Sequence, residues 1–135
     1  MPDLTGDEAE VYNWMAMYQK AFWQTLRTNE VAGTFATFTS AEVQASLAKL
    51  ASDNAAQGFR VGGTFKTWIR DISVTEGTAT AVNCDDLREV TFATGAGSFS
   101  ADDVGQGVPQ RYRVELLRLD NGTWYINRIT GDGTC

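Results

Sequence analysis

QRYRVELLRLDNGTWYINRIT, residues 110–130, sets two runs rich in aromatic and β-branched residues on either side of Asp120-Asn-Gly122. An Asn-Gly pair between such runs is the strongest short-range signal for a hairpin, because both positions tolerate the positive φ that a tight turn requires. Gln110 to Leu119 and Thr123 to Thr130 are therefore expected to pair antiparallel. Working back along the chain, Thr94 to Pro109 holds four Gly and the adjacent Asp102 and Asp103, and reads as a mobile loop with Phe99 as its one anchor. Leu87 to Ala93 resumes a strand after the interruption at Asp85-Asp86. Thr64 to Val74 reads as one long strand, turned at Glu76-Gly77 into a hairpin with Thr78 to Cys84. On that long strand Trp68 shares parity with Lys66, Arg70, Ile72 and Val74, while Phe65 and Ile69 alternate with it, so both faces carry apolar groups.

Before Gly62 the apolar period is near 3.6 instead of 2. Thr5-Gly-Asp-Glu8 reads as a capping box, opening a helix from about Gly6 to Asn29. At 100° per residue Val11, Met15, Tyr18, Phe22 and Leu26 fall in one sector, opposite Asn13, Lys20, Gln24 and Arg27. Trp14 and Trp23 flank the stripe on opposite sides and cannot enter the same core. Val31 to Phe38 reads as a short helical turn, and Thr39-Ser-Ala-Glu42 as a second capping box. The helix it opens puts Val43, Leu47 and Leu50 on one face and stops at Gly58. Helices first and an antiparallel sheet afterwards, with no βαβ alternation, define an α+β class.

Composition bounds the function. With 135 residues the chain supports one core, and a single domain over 1–135 is expected. A formal charge of -6 argues against a phosphate-backbone binder, and the absence of His removes His-based triads and imidazole metal sites. No segment reaches the roughly 20 apolar residues of a membrane span. Met1-Pro2-Asp3-Leu4 has neither the cationic nor the apolar region of an export signal, so an exported chain would have lost its leader beforehand. The two cysteines, Cys84 and Cys135, allow a disulfide, two free thiols or one reactive thiol. A terminal Cys makes most sense if tied down, and a bridge would imply an oxidising compartment.

About three helices followed by a curved antiparallel sheet make an α+β cone, with an apolar hollow between the sheet and the first helix. This plan resembles the nuclear transport factor 2-like superfamily, which includes ketosteroid isomerase, polyketide cyclases and many non-enzymatic domains. The residues that carry the resemblance are Tyr12, Trp14 and Phe22 on the first helix, Gly62-Gly63, the strand Ala79-Thr-Ala-Val-Asn-Cys-Asp-Asp86, and Asn121-Gly-Thr-Trp124-Tyr-Ile126. The Ala-x-Val-x-Cys-x-Asp strand, the late Gly-x-Trp-x-Ile strand and the final Cys are similar to exported bacterial domains of this fold. That likeness implies a Cys84 to Cys135 bridge fastening the tail to the sheet.

Enzymes of the superfamily need a carboxylate base facing an apolar hollow and a donor for a developing oxyanion. Tyr18 is placed by periodicity to donate, and Asp71, Asp85 or Asp86 to supply the carboxylate, although a tyrosine on a core stripe is first of all packing. Asp85-Asp86 before Arg88 and Glu89 reads first as a solvated strand end. The Asp-Arg-Asp arrangement of the superfamily's epoxide hydrolases would have to draw on Asp71, Arg70 and Arg113, which no spacing singles out. Asp85, Asp86, Asp102 and Asp103 lack the alternating ligand spacing of a calcium loop. Gly95-x-Gly97 and Gly105-x-Gly107 lack the following helix of a phosphate-binding turn. Asn121-Gly-Thr123 fits a glycosylation acceptor by pattern, but is first a tight turn.

Two readings follow. The favoured one is a non-catalytic binding or assembly domain of an exported or cell-envelope protein, needing no cofactor, metal or nucleic acid. It holds an apolar small molecule or a protein partner, with Tyr18, Trp68 and Tyr112 as contacts and a possible homodimer through the sheet. The alternative is a small cofactor-independent cyclase, isomerase or hydrolase in the cytoplasm or beyond it, acting on an apolar carbonyl or polycyclic compound. A carboxylate and a tyrosine within hydrogen-bond reach of one enclosed apolar space would reverse the order of the two readings.

Overall fold

The computed structural model describes residues 5–135; Met1-Pro2-Asp3-Leu4, read above as carrying no export signal, lie outside the described residues. Three helices come first, α1 (Gly6–Thr28), α2 (Phe35–Phe38) and α3 (Ala41–Ala56), followed by seven strands. These are β1 (Arg60–Gly63), β2 (Lys66–Thr75), β3 (Thr78–Asp86), β4 (Val90–Thr94), β5 (Gly97–Phe99), β6 (Gln110–Arg118) and β7 (Trp124–Thr134). All strand pairs are antiparallel, in a four-stranded sheet of order β2-β3-β6-β7 and a three-stranded sheet of order β1-β4-β5. No helix among the described residues is long and apolar enough to cross a membrane.

Both helix starts differ in detail from the expected capping boxes. Thr5 precedes α1 in extended conformation but its side chain accepts no capping bond. At α3 the cap is Ser40, whose Oγ accepts from Val43 N, whereas the Thr39 hydroxyl donates to Phe35 O at 2.5 Å. The hydroxyl nearer the preceding helix finds that helix's free carbonyl first, leaving the cap to its neighbour.

The expected strand from Thr64 to Val74 forms as β2 from Lys66 onward, and a separate short strand, β1, precedes it in the other sheet. Gly63 stands at φ +81 in such close approach to β4 that a Cβ there would lie 2.4 Å from Glu89 O. The chain therefore leaves one sheet at Gly63 and joins the other at Lys66. A second irregularity follows: register slips between Arg70 and Ser73, with Asp71 at φ 54. This bulge reverses parity beyond it. Ile69, Ile72 and Val74 consequently pack together on the main core, while Trp68 stays on the outer face with Arg70; the expected sharing of parity between Trp68 and Ile72 or Val74 does not hold.

Thr94 to Pro109 is not a bare loop. It supplies β5 and a 3-10 turn over Asp102–Val104, with Phe99 paired to Phe92 and edge-on to Phe59 at 6.3 Å between ring centroids. Two apolar clusters result. Val11, Met15, Phe35, Phe38, Leu116, Trp124 and Ile126 form the core between α1, α2 and the four-stranded sheet. Leu26, Val61, Leu87, Val90, Phe92 and Ala101 form another against the three-stranded sheet. Trp14 packs on the first, 5.5 Å from Phe38, and Trp23 on the second, 5.7 Å from Phe65, which explains their opposed positions on α1.

Candidate ligand-binding site

The stripe along α1 and the inner face of β3 and β6 meet between the two clusters. On β3, Ala79, Ala81, Asn83 and Asp85 alternate onto the inner face, and the register sets Asn83 beside Ile69 and Tyr112 and Asp85 beside Thr67 and Gln110.

The space so formed is a cavity of about 170 Å³ lined by Met15, Tyr18, Gln19, Phe22, Leu50, Asn83, Asp85, Tyr112, Val114, Ile126 and Ile129. It adjoins a wider hollow of about 830 Å³, with which it shares Phe22, Leu50, Asp85 and Tyr112. Phe59, Phe92, Phe99 and Asp103 lie on the walls of the wider part. Tyr18 packs against Phe35 at 5.4 Å and stacks on Phe22 at 6.1 Å between ring centroids.

Asp85 is only 7% exposed. Its Oδ1 accepts from Thr67 Oγ1 at 2.9 Å and Asn83 Nδ2 at 2.7 Å. No hydrogen bond among the described residues reaches its Oδ2 or the hydroxyls of Tyr18 and Tyr112. Burial pushes the Asp85 carboxyl up to about 6 despite the two donors that favour its charged form. The Tyr18 hydroxyl is held far above the usual range by burial, then by the charge of Asp85 and by Tyr112; burial and Asp85 raise Tyr112 as well. Gln19 is 5% exposed, and its Oε1 has no partner although it is buried. Among the described residues no Lys or Arg lines either cavity. The arrangement can donate two phenolic hydrogen bonds and accept at a carboxylate and an amide, from walls that are otherwise apolar.

The other carboxylates considered lie elsewhere. Asp86 faces the opposite side of β3 from Asp85 and is bound by Arg88 through Nε and Nη2 at 2.9 and 2.8 Å, which pulls it down to about 2. Asp71 occupies the β2 bulge, 4.0 Å from Arg70. Arg70 and Arg113 both pair in register with Val82 and so share the outer face of the sheet. Cys84 is bonded to Cys135, across 51 positions, with Cα atoms 6.1 Å apart. Cys84 stands opposite Trp68 in register, so the bridge and the 49% exposed Trp68 share the outer face, away from the cavity.

Of the sequence-derived contacts, then, Tyr18 and Tyr112 come together and Trp68 does not join them. Gln19, Asn83 and Thr67 went unnoticed. A signal existed for two of them: Gln19 follows Met15 by four and Val11 by eight on the apolar stripe, and Asn83, like Asp85, continues the parity of Ala79 and Ala81.

No family profile matches the chain, and no curated protein does. Solved structures do match. The intermembrane space region of chloroplast protein ARC6 superposes with TM-score 0.64 at 13% identity, over 98% of this chain and 100% of that one. A ketosteroid isomerase-like protein from Erwinia carotovora atroseptica SCRI1043 superposes with TM-score 0.56 at 13% identity, over 93% of this chain and 95% of that one. The fold is the nuclear transport factor 2-like cone. At this identity the likeness is one of architecture, and the cone's function must be argued from its own side chains.

Proposed function

We propose that this cone is a binding domain that holds an apolar small molecule in the hollow beneath α1, with Tyr18 and Tyr112 as its polar contacts. The observation that carries the reading is the convergence of Asp85, Tyr18 and Tyr112 on one largely apolar cavity, with Asp85 Oδ2 and both phenolic hydroxyls bonded to no protein group among the described residues. Buried polar groups are normally satisfied, and a ligand would satisfy these. The Cys84–Cys135 bridge supports an exported or cell-envelope setting. Trp68 on the outer face is the contact for a protein partner or a second copy.

A second reading is favoured by one observation. Asp85, near 6, and Tyr18 line the same largely apolar cavity, the pairing that proton transfer next to a carbonyl would need. Equilibrium binding and turnover separate the two. N-phenyl-1-naphthylamine, a neutral probe whose emission rises in apolar surroundings, is expected to bind one to one, and Leu50→Trp, placed where the two parts of the hollow meet, is expected to abolish the signal. Emission unaffected by Leu50→Trp would overturn the binding reading. Isomerisation of an unsaturated ketone lost in Asp85→Asn would establish the enzymatic one.

A further inference from the structure

The binding reading leaves the charge of the ligand open, and the walls of the hollow bear on it. Asp85 is buried, and both of its protein donors are neutral groups on the same carboxyl oxygen. The titratable groups facing it are Tyr18 from α1 and Tyr112 from β6, with Asp103 the other acid on the wider walls; none of these supplies positive charge. The nearby cations are engaged on the opposite side of the sheet, Arg88 with Asp86 and Lys66 with Glu89. A buried carboxylate without a counter-charge is costly, and a cation delivered by a ligand would offset that cost. The rings of Tyr18, Phe22 and Tyr112 line the same space, and aromatic rings attract an ammonium group.

We infer that the ligand is a lipophilic cation: an apolar body bearing an ammonium group that donates to Asp85 Oδ2 and lies among the surrounding rings. An apolar carboxylic acid would bring a second anion beside Asp85 with no basic residue on the walls to receive it. A neutral carbonyl compound would engage the two tyrosines but leave the Asp85 carboxylate unmet. This inference rests on the hollow being a binding site.

The test compares 1-naphthylmethylammonium, 1-naphthylmethanol and 1-naphthoate by titration calorimetry on the intact disulfide-bonded protein at pH 7.5 and physiological salt. The ammonium compound is expected to bind at least tenfold more tightly than the alcohol, and the carboxylate not at all. Lowering the pH to 5 should bring the ammonium compound down toward the alcohol, because protonation of Asp85 removes the counter-charge, while the alcohol is unchanged. Asp85→Asn should do the same at pH 7.5. An alcohol that binds as well as the ammonium compound would overturn the cation and leave the binding reading intact; failure of all three to bind would overturn both. Preference for the ammonium compound that survives in Asp85→Asn would assign it to the overall charge of -6 and overturn the role of Asp85. Should that variant not fold, the pH series on the unaltered protein decides.

Discussion

Thr67 on β2 and Asp85 on β3 face each other across the inner side of the sheet, and the Thr67 hydroxyl donates to Asp85 Oδ1 at 2.9 Å. With Asn83 it holds the carboxylate but does not neutralise it, so the fold carries an acid that titrates near 6 instead of 3.8. A raised acid binds its proton more tightly when folded, so this group's contribution to stability is full below about 4 and is lost as pH rises through 6. The displacement corresponds to at most about 3 kcal/mol. Asp86, drawn down by Arg88, runs the other way and loses its contribution only as pH falls toward 2. Asp85→Asn is therefore expected to raise the midpoint of thermal unfolding at pH 7.5 and to leave it nearly unchanged at pH 4. An equal shift at both pH values would refute the assignment.

Tyr18→Phe removes a hydroxyl to which no protein group among the described residues bonds, while the ring keeps its contacts with Phe35 and Phe22. Stability should change by less than about 1 kcal/mol, since no intramolecular hydrogen bond is lost. Affinity for 1-naphthylmethanol, which needs that donor or its neighbour Tyr112, should fall several-fold, read by calorimetry beside a denaturant melt.

The bridge between Cys84 and Cys135 closes a loop of 51 positions, for which chain entropy gives about 4 kcal/mol, reducible by strain. Beyond the bridge the tail is held by the pairing of Thr134 with Gln110 and by Cys135 N donating to Pro109 O at 3.1 Å. Reduction, or paired replacement of both cysteines by serine, should lower stability by about 2–4 kcal/mol. It should also speed amide exchange at the end of β7 before the middle of the sheet. Exchange by nuclear magnetic resonance distinguishes this local fraying from global loosening.

Gly63→Ala puts a methyl 2.4 Å from Glu89 O on a backbone at φ +81. The neighbouring atoms are strand backbone and cannot give way cheaply, so more than about 2 kcal/mol of destabilisation is expected. Urea unfolding of this variant beside Gly77→Ala provides the control. Gly77 has a similar φ of +88 but open space around it, so the difference between the two isolates the close approach from the backbone strain.

The helices, the hairpins and the α+β order were legible because they depend on short-range signals: a 3.6 period, turn residues at fixed spacing, and β-branched runs. The inward side of Tyr18 was legible for the same reason, since it lies on the apolar stripe of a regular helix, whereas the meeting of Tyr112 with it was decided by the pairing of β3 with β6. Trp68 shows where the method stops. Its place on the outer face follows from its register with Cys84, and the parity expected for its neighbours failed at the Asp71 bulge, which no residue pattern announced.

What the chain's own order of residues determined is which segments coil, which extend, and which side of each is apolar, since those preferences act over a few positions. Only the folded arrangement decided that Gly63 separates two sheets, that β5 forms within an apparently loose stretch, and that Asp85, Tyr18, Tyr112 and Gln19 share one cavity. Those outcomes depend on contacts between residues tens of positions apart. There, burial of a carboxyl or the closeness of two backbones is set by every element that closes around it.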